Sequence, residues 1–149
     1  QYNNRWFLFG YNPEKERYDW NMAIDRITSL KEIKGKYQKN QKINWQDYFE
    51  DIIGVTKPEA CIFEEVILHF FGKTGRYIET KPLHGSQKSK WIDKNTLEVR
   101  LQLMINYELE RLILSYAESA KILAPKHLAE TINNRLMSAS VLYSKIIKH

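Results

Sequence analysis

Two stretches near the start of the chain have the apolar patterns of β-strands. From Trp6 to Tyr11, large apolar side chains occupy both alternating faces, which predicts a strand that is buried on both sides. Residues 12–16 have turn chemistry, and residues 17–27 then alternate apolar with polar side chains. The apolar positions of this second stretch are Tyr18, Trp20, Met22 and Ile24. The pattern predicts a β-hairpin with one buried face, and parity places Arg26 on that apolar face.

The next segment is polar and then becomes helical. Residues 35–44 are rich in Lys, Gln and Asn, which indicates a linker. Asn44 is a suitable N-cap, and Asp47 follows it at the spacing of a capping box. A short helix is therefore expected over residues 45–53, and Gly54 ends it.

In the second half of the chain, segments with the two-residue period of a strand alternate with segments that have the 3.6-residue period of a helix. Strands are predicted at 62–71, 83–92, 97–105 and 120–124, and helices at 73–81, 107–116 and from Pro125 onward. The order β-α-β-β-α-β predicts a ferredoxin-like domain with an additional C-terminal helix. That helix carries a stripe expected to form core or dimer contacts: Leu128, Ile132, Leu136, Ala139, Tyr143 and Ile146. The fold class is therefore α+β.

Composition excludes several classes of protein. An apolar share of 43% over 149 residues suits a packed domain. No apolar run approaches the roughly 20 residues of a membrane helix. The single cysteine, Cys61, allows no intrachain disulfide, and the four histidines are scattered, so neither a metal site nor a cofactor is expected. A cytoplasmic location fits this cysteine usage. The net charge of +5 permits a nucleic-acid partner without requiring one.

Catalytic motifs are missing from the sequence. It contains no P-loop, HExxH, CxxC or GxSxG motif. Glu64 and Glu65 are adjacent on a strand, so their side chains point to opposite faces and do not form a catalytic pair. The chain is therefore not expected to be an enzyme.

Arg26 is the first candidate binding residue. Either the strand ends before it and the side chain points to water or pairs with a carboxylate, or it lines a pocket beside aromatic rings. In a pocket, its guanidinium would bind phosphate and Trp20 would offer a stacking surface. Arg5 and the asparagines beside it would edge such a site or be solvated.

A second candidate surface is a polar, basic rim over residues 82–91, with His84, Lys88 and Lys90. From Lys73 to Arg100 there are seven Lys or Arg against three Asp or Glu. This excess indicates a nucleic-acid contact or, more commonly, a solvated face.

The N-terminal motifs resemble those of the WYL domain. The run Arg5–Tyr11 contains Trp6-Phe7-Leu8 at the place of the Trp-Tyr-Leu triplet, and Arg26-Ile27 matches the Arg-Ile pair of the following strand. From about Cys61 onward, the chain resembles the C-terminal extension that follows many WYL domains, including the stretch Pro82–Gln87. The predicted regions are the C-terminal part of a WYL domain (1–35), a linker with a short helix (36–57) and the extension (58–149).

The resemblance implies a bacterial transcription regulator. In this family a winged helix-turn-helix precedes the WYL domain, which is a small Sm-like or SH3-like barrel thought to sense an anionic ligand, either a nucleotide or single-stranded nucleic acid. The resemblance implies that Arg26 contacts the ligand and that Trp6 and Phe7 support this contact. Phe7 stands where the triplet has Tyr, so a hydroxyl is lost and stacking is kept.

The resemblance also implies that this chain holds only part of the barrel. The remaining strands and the helix-turn-helix that binds duplex DNA would then lie upstream of Gln1. A partial barrel leaves a strand edge unpaired, so a homo-oligomer formed through Arg5–Tyr11 is expected. The alternative is a module that binds nucleic acid directly through the rim of the ferredoxin-like domain.

Overall fold

The computed structural model of this chain describes residues 1–60 and 62–147, with side chains up to Ser144. Within those ranges the protein is a mixed α+β structure with two antiparallel sheets and four α-helices. The predicted α+β class is therefore confirmed. Cys61 and the side chain of Ile146, to which predictions were attached, lie outside the described part.

The predicted hairpin is present at the start of the chain. Strand β1 (Phe7–Asn12) pairs antiparallel with β2 (Arg17–Ala23), and Phe7 lies opposite Ala23. In the turn, the Asn12 side-chain oxygen accepts hydrogen bonds from the backbone N–H groups of Glu14 and Lys15, at 3.0 and 3.2 Å. This Asx geometry explains why the sequence turns here.

The buried face of β2 is the opposite of the one predicted from its alternation. Trp20 and Met22 lie on the exposed face, with 36% and 41% of their surface accessible. Asp19 and Asn21 lie on the covered face because each finds a partner there. Asp19 binds the Arg17 guanidinium at 3.0 Å and the Tyr48 hydroxyl at 3.1 Å. Specific polar pairing therefore overrides the hydrophobic pattern in this strand.

The parity argument for Arg26 is also wrong, because β2 ends at Ala23. Ile24–Arg26 forms a 3-10 turn, in which Ile27 donates its N–H to the Ile24 carbonyl at 3.2 Å. The turn is tied back to the hairpin by the Ile24 N–H, which donates to the Trp6 carbonyl at 3.0 Å. The direction of Arg26 is thus set by this turn and not by the pleat of the strand.

Helix α1 (Trp45–Glu50) covers the inner face of the hairpin. Asn44 is its N-cap, as predicted, and accepts a hydrogen bond from the Gln46 N–H at 3.2 Å. The ring of Phe9 packs edge-on against Trp45 and Phe49, with centroids 5.2 and 5.3 Å apart. This aromatic cluster forms a small core of its own.

The second sheet follows the predicted element order. Its elements are β3 (Phe63–Phe71), α2 (Gly72–Thr80), β4 (Lys88–Trp91), β5 (Thr96–Met104), α3 (Tyr107–Leu114), β6 (Ala120–Ala124) and α4 (Lys126–Ile147). The strands are arranged β4-β5-β3-β6, and every neighbouring pair is antiparallel. Strand β4 is shorter than predicted, because Gln87 accepts a hydrogen bond from the Leu83 N–H at 2.9 Å and holds 83–87 as a turn.

The main core lies on one face of this sheet. The apolar positions of β5 are fully buried there, as the alternation predicts, and they pack with β3 and the helices. The cluster comprises Ile53, Val66, Leu68, Phe70, Ile78, Leu97, Val99, Leu101, Leu103, Leu109, Ile113, Leu128 and Ile132.

Among its described side chains, helix α4 contributes to the core through its first turns only. Leu128 and Ile132 of the predicted stripe are buried, whereas Leu136 and Tyr143 are exposed. No helix in the described ranges has both the length and the apolar character needed to cross a membrane.

Candidate functional site

A cleft of about 1020 Å3 lies where the hairpin meets the second sheet's domain. Four short segments line it: the start of the chain, the 3-10 turn, residues 55–56 and the first turns of α3. The lining residues are Tyr2, Asn3, Asn4, Arg5, Trp6, Phe7, Asn21, Ile24, Asp25, Arg26, Val55, Thr56, Tyr107, Glu108 and Arg111.

A tight turn positions Arg5 at the rim of the cleft. Tyr2 and Arg5 exchange two backbone hydrogen bonds of 3.0 Å. The two residues between them, Asn3 and Asn4, have φ angles of 47° and 60°. Asparagine tolerates this left-handed conformation, which two-residue hairpin loops require. The Arg5 guanidinium is already engaged, since it lies 3.1 Å from the Asp25 carboxylate.

Arg26 follows Asp25 on the same wall but has no such partner. Its side chain is exposed, and no carboxylate of the described residues forms an ion pair with it. The strand ends before Arg26 and its side chain is exposed, as in the first of the two alternatives that the sequence left open, and the residue also lines the cleft.

The opposite wall is the N-terminal end of α3. The buried side chain of Asn106 caps this helix, accepting from the Leu109 N–H at 2.8 Å, and donates to the carbonyls of Ile53 and Thr56 at 2.8 and 3.0 Å. The guanidinium of Arg111 lies 5.7 Å from the centre of the Tyr107 ring. Within the described part of the chain, Arg111 also lacks an ion pair with a carboxylate.

Glu108, in the first turn of α3, has an unusual environment. Its Oε2 atom is buried, and no hydrogen-bond partner reaches it among the described residues. Gly54 packs directly on its side chain, and a Cβ at position 54 would come 2.6 Å from the Glu108 Cγ. Burial, and then the nearby Glu108 carboxylate, raise the pKa of the Tyr2 hydroxyl.

The structure brings together four of the five ligand-binding residues predicted from the sequence. Arg5, Trp6, Phe7 and Arg26 all line the cleft. Trp20 does not, because it lies on the face of β2 opposite to Asn21, which does line it. The expectation that Trp20 stacks beside Arg26 is therefore wrong.

Three residues of the far wall were missed at the sequence level: Tyr107, Glu108 and Arg111. The available signal was an aromatic residue and an arginine four positions apart on a helix. That spacing places them on one face, directly after the cap Asn106. Nothing in the sequence indicated that this face meets the hairpin.

The predicted basic rim lies apart from the cleft. Lys88 and Lys90 are exposed on the edge strand β4, opposite Arg100 and Glu98 of β5. His84 is half-buried, and its Nδ1 accepts a hydrogen bond from the Ser86 N–H at 3.2 Å. Burial lowers the pKa of His84, so its imidazole is neutral near pH 7. The rim therefore offers two cations, not three.

The cleft has the chemistry of a binding site. Unpaired guanidinium groups on two walls favour an anion, and the rings of Trp6 and Tyr107 are 62% and 59% exposed, which leaves surface for stacking. In the described ranges, no group of His, Asp or Glu side chains is arranged to hold a metal ion.

Comparison with known protein families identifies the second half of the chain. The model of the WCX domain, a domain associated with WYL-type regulators, matches residues 63–140. The match covers more than half of the chain, and includes all four strands of the second sheet and the part of α4 that packs on the core. No curated protein matches the chain. The chain belongs to the WCX domain family.

Proposed function

We propose that this chain is the ligand-sensing and oligomerisation region of a bacterial transcription regulator, and that it binds an anionic ligand in the cleft. The ligand would be a nucleotide or single-stranded nucleic acid. One observation carries the proposal: Arg26 and Arg111, from opposite walls of one cleft, both lack a carboxylate partner among the described residues. Each guanidinium group has the planar set of N–H donors and the positive charge that suit a phosphate.

The position of the cleft suggests how ligand binding changes the relative arrangement of the hairpin and the WCX domain. The hairpin is joined to the WCX domain through residues 51–59; for example, the Asn21 side chain donates to the Val55 carbonyl at 2.9 Å. A ligand that contacts both Arg26 and Arg111 would tie the two regions together directly. It would therefore favour one relative arrangement of them over others. In the regulator, a helix-turn-helix outside this sequence would respond and would bind duplex DNA.

The proposal also includes a specific fold for each of the two regions. The strand order β4-β5-β3-β6, with helices on one face, supports a ferredoxin-like fold for the WCX domain. The hairpin with its Trp6-Phe7-Leu8 triplet supports the assignment of part of a WYL barrel of the Sm-like or SH3-like kind. On this view the protein works in the cytoplasm, and the hairpin's exposed apolar face and edge are covered by another copy of the chain.

A direct nucleic-acid interface on the WCX domain is the second candidate. Lys88 and Lys90 are exposed and lie side by side with Arg100, which favours a phosphate contact. Against it, the Arg100 guanidinium is already held by the carboxylates of Glu98 and Glu65, at 2.9 and 3.4 Å. We therefore rank this surface below the cleft.

Fluorescence anisotropy with a labelled single-stranded oligonucleotide distinguishes the two surfaces. The matched variants are Arg26→Ala/Arg111→Ala in the cleft and Lys88→Ala/Lys90→Ala on the rim, since each removes two positive charges. We expect the cleft variant to bind about 10- to 100-fold more weakly than the parent protein. We expect the rim variant to lose less, and the affinity of the parent protein to fall as salt rises.

If the rim variant loses more affinity than the cleft variant, the binding site lies on the sheet of the WCX domain. Equal, small losses in both variants would contradict a defined phosphate site and indicate diffuse attraction by the net charge of +5. Circular dichroism melts of both variants check that the losses are not caused by unfolding.

A further inference from the structure

We infer that Asn106 is a positioning residue for the cleft. Its side chain fixes the loop at residues 53–56 to the start of α3, and this contact sets the position of Arg111 relative to Arg26. The inference rests on the proposed function, because it assumes that the two guanidinium groups bind one ligand. It adds a residue that does not itself line the cleft but controls binding through the residues that do.

The first observation is that Asn106 uses its whole side-chain amide. Only 4% of the residue is exposed. Its Oδ1 accepts a hydrogen bond from the Leu109 N–H at 2.8 Å, which is all that a helix cap requires. Its Nδ2 also donates to the carbonyls of Ile53 and Thr56, at 2.8 and 3.0 Å. These two donated bonds join segments that are far apart in the sequence.

The second observation is that both of the joined segments line the cleft. Val55 and Thr56 belong to the loop, and Arg111 lies in the helix that follows the cap. The loop is also bound to the hairpin, because the Asn21 side chain donates to the Val55 carbonyl at 2.9 Å. A continuous set of hydrogen bonds therefore connects α3, through the loop, to the strand that leads into the turn of Arg26.

The third observation is that the loop and α3 are in close contact. Gly54 has a φ of 97°, and a Cβ at this position would lie 2.6 Å from the Glu108 Cγ. Glycine is the residue that combines this backbone conformation with so close an approach. Tight packing and the two donated hydrogen bonds act at the same contact, so the spacing between the loop and the helix is narrowly defined.

A defined spacing matters for a ligand that must reach both guanidinium groups. Arg26 and Arg111 carry like charges, and no carboxylate of the described residues forms an ion pair with either of them. If the two segments could shift, ligand binding would have to order them, and the loss of conformational freedom would weaken the affinity. The contact made by Asn106 orders them before the ligand binds.

The simpler alternative is that Asn106 only stabilises the fold. In that case its substitution would lower the melting temperature and leave the affinity of the folded protein unchanged. Both roles lower the melting temperature, so stability alone does not separate them. The affinity of the folded protein, and its dependence on Arg111, does.

A double-mutant cycle between Asn106 and Arg111 tests the inference. Asn106→Ser keeps a good capping oxygen and removes both amide donors. With a labelled single-stranded oligonucleotide, well below the melting temperature of each variant, we expect this substitution to weaken binding about tenfold. In the Arg111→Ala background we expect it to change the affinity by less than about twofold, because the guanidinium that Asn106 positions is no longer there.

Asn44→Ser is the matched control. Asn44 caps α1 by accepting from the Gln46 N–H at 3.2 Å, and neither Asn44 nor its helix lines the cleft. We expect this control to bind the oligonucleotide as the parent protein does. If Asn106→Ser does not fold, Asn106→Thr takes its place, since it keeps a capping hydroxyl, lacks the amide donors and fills more of the space.

The failures of the two proposals are distinguishable. If the folded Asn106 variant binds as tightly as the parent protein, or if it loses affinity equally in both backgrounds, the inference is wrong and the anion site stands. If the parent protein binds no oligonucleotide, the proposed function is wrong and the inference fails with it.

Discussion

Strands β2 and β5 have the same alternation of apolar and polar residues but bury opposite faces. In β5, Leu97, Val99, Leu101 and Leu103 are fully buried, and polar side chains such as Arg100 and Gln102 face outward. In β2 the apolar Trp20 and Met22 are the exposed set.

The difference arises from what covers each sheet. The buried face of β5 packs against apolar side chains of the helices. The free energy gained by removing apolar side chains from water therefore determines which face of β5 is buried. The inner face of β2 meets α1 and residues 55–59, which supply a Tyr48 hydroxyl, a backbone carbonyl and the Glu59 carboxylate as polar partners. Alternation therefore predicts two faces in both strands, but it predicts the buried one only where the covering layer is apolar.

The largest expected effect is a contrast between one apolar position in each strand, buried in β5 and exposed in β2. Leu101→Ala in β5 removes a fully buried side chain and should lower the free energy of unfolding by about 2–5 kcal/mol. Met22→Ala in β2 removes a half-exposed one and should cost less than about 1 kcal/mol. Urea denaturation at low protein concentration measures both, and equal losses would contradict the assignment of the exposed face.

The next effect concerns the polar pairing that holds β2. Asp19→Asn removes the charge that binds Arg17 and should lower the free energy of unfolding by about 2 kcal/mol near neutral pH, because both side chains are largely covered. The Arg17 hydrogen bond holds the pKa of Asp19 below its ordinary value of 3.8. The stabilisation is therefore present above that value and is lost as the pH falls below it.

Denaturation of the parent protein and the variant over a pH series checks this prediction. The difference between the two curves should shrink as the pH falls below the ordinary value of 3.8, because the unfolded chain binds a proton there and the folded parent binds one only at the lower pKa of Asp19. A difference that stays constant to pH 2 would show that the loss comes from packing and not from the charge.

The smallest effect on stability, and a direct test of the exposed face, is expected from Trp20→Glu. The Trp20 side chain makes no hydrogen bond or ring contact with the described residues, so the free energy of unfolding of the monomer should fall by no more than about 1 kcal/mol. If another copy covers this face, the buried charge would weaken association and lower the mass found by light scattering. Lys90→Glu, on the exposed edge of β4, is the control. A parent protein that is monomeric at high concentration would refute association through the hairpin.

The sequence predicted the helices and strands well, but it predicted poorly how these elements are positioned relative to one another. The order of strands and helices, the caps Asn44 and Asn106 and the hairpin turn depend on neighbours in the chain, so local patterns are sufficient for them. The direction of Arg26 depends on the 3-10 turn that follows β2, and the alternation of apolar and polar residues gives no signal for that turn. Glu108 and Arg111 join the site only because the loop at Gly54 brings α3 to the hairpin, and this contact has no local signal.

An NMR titration tests the central claim most directly. With labelled protein and a short single-stranded oligonucleotide, backbone amide shifts can be followed at both candidate surfaces. The account predicts that saturable changes concentrate in Asn3–Phe7, Ile24–Arg26 and Tyr107–Arg111, the segments that line the cleft. Changes confined to Lys88–Trp91 and the facing part of β5, with the cleft segments unmoved, would contradict it.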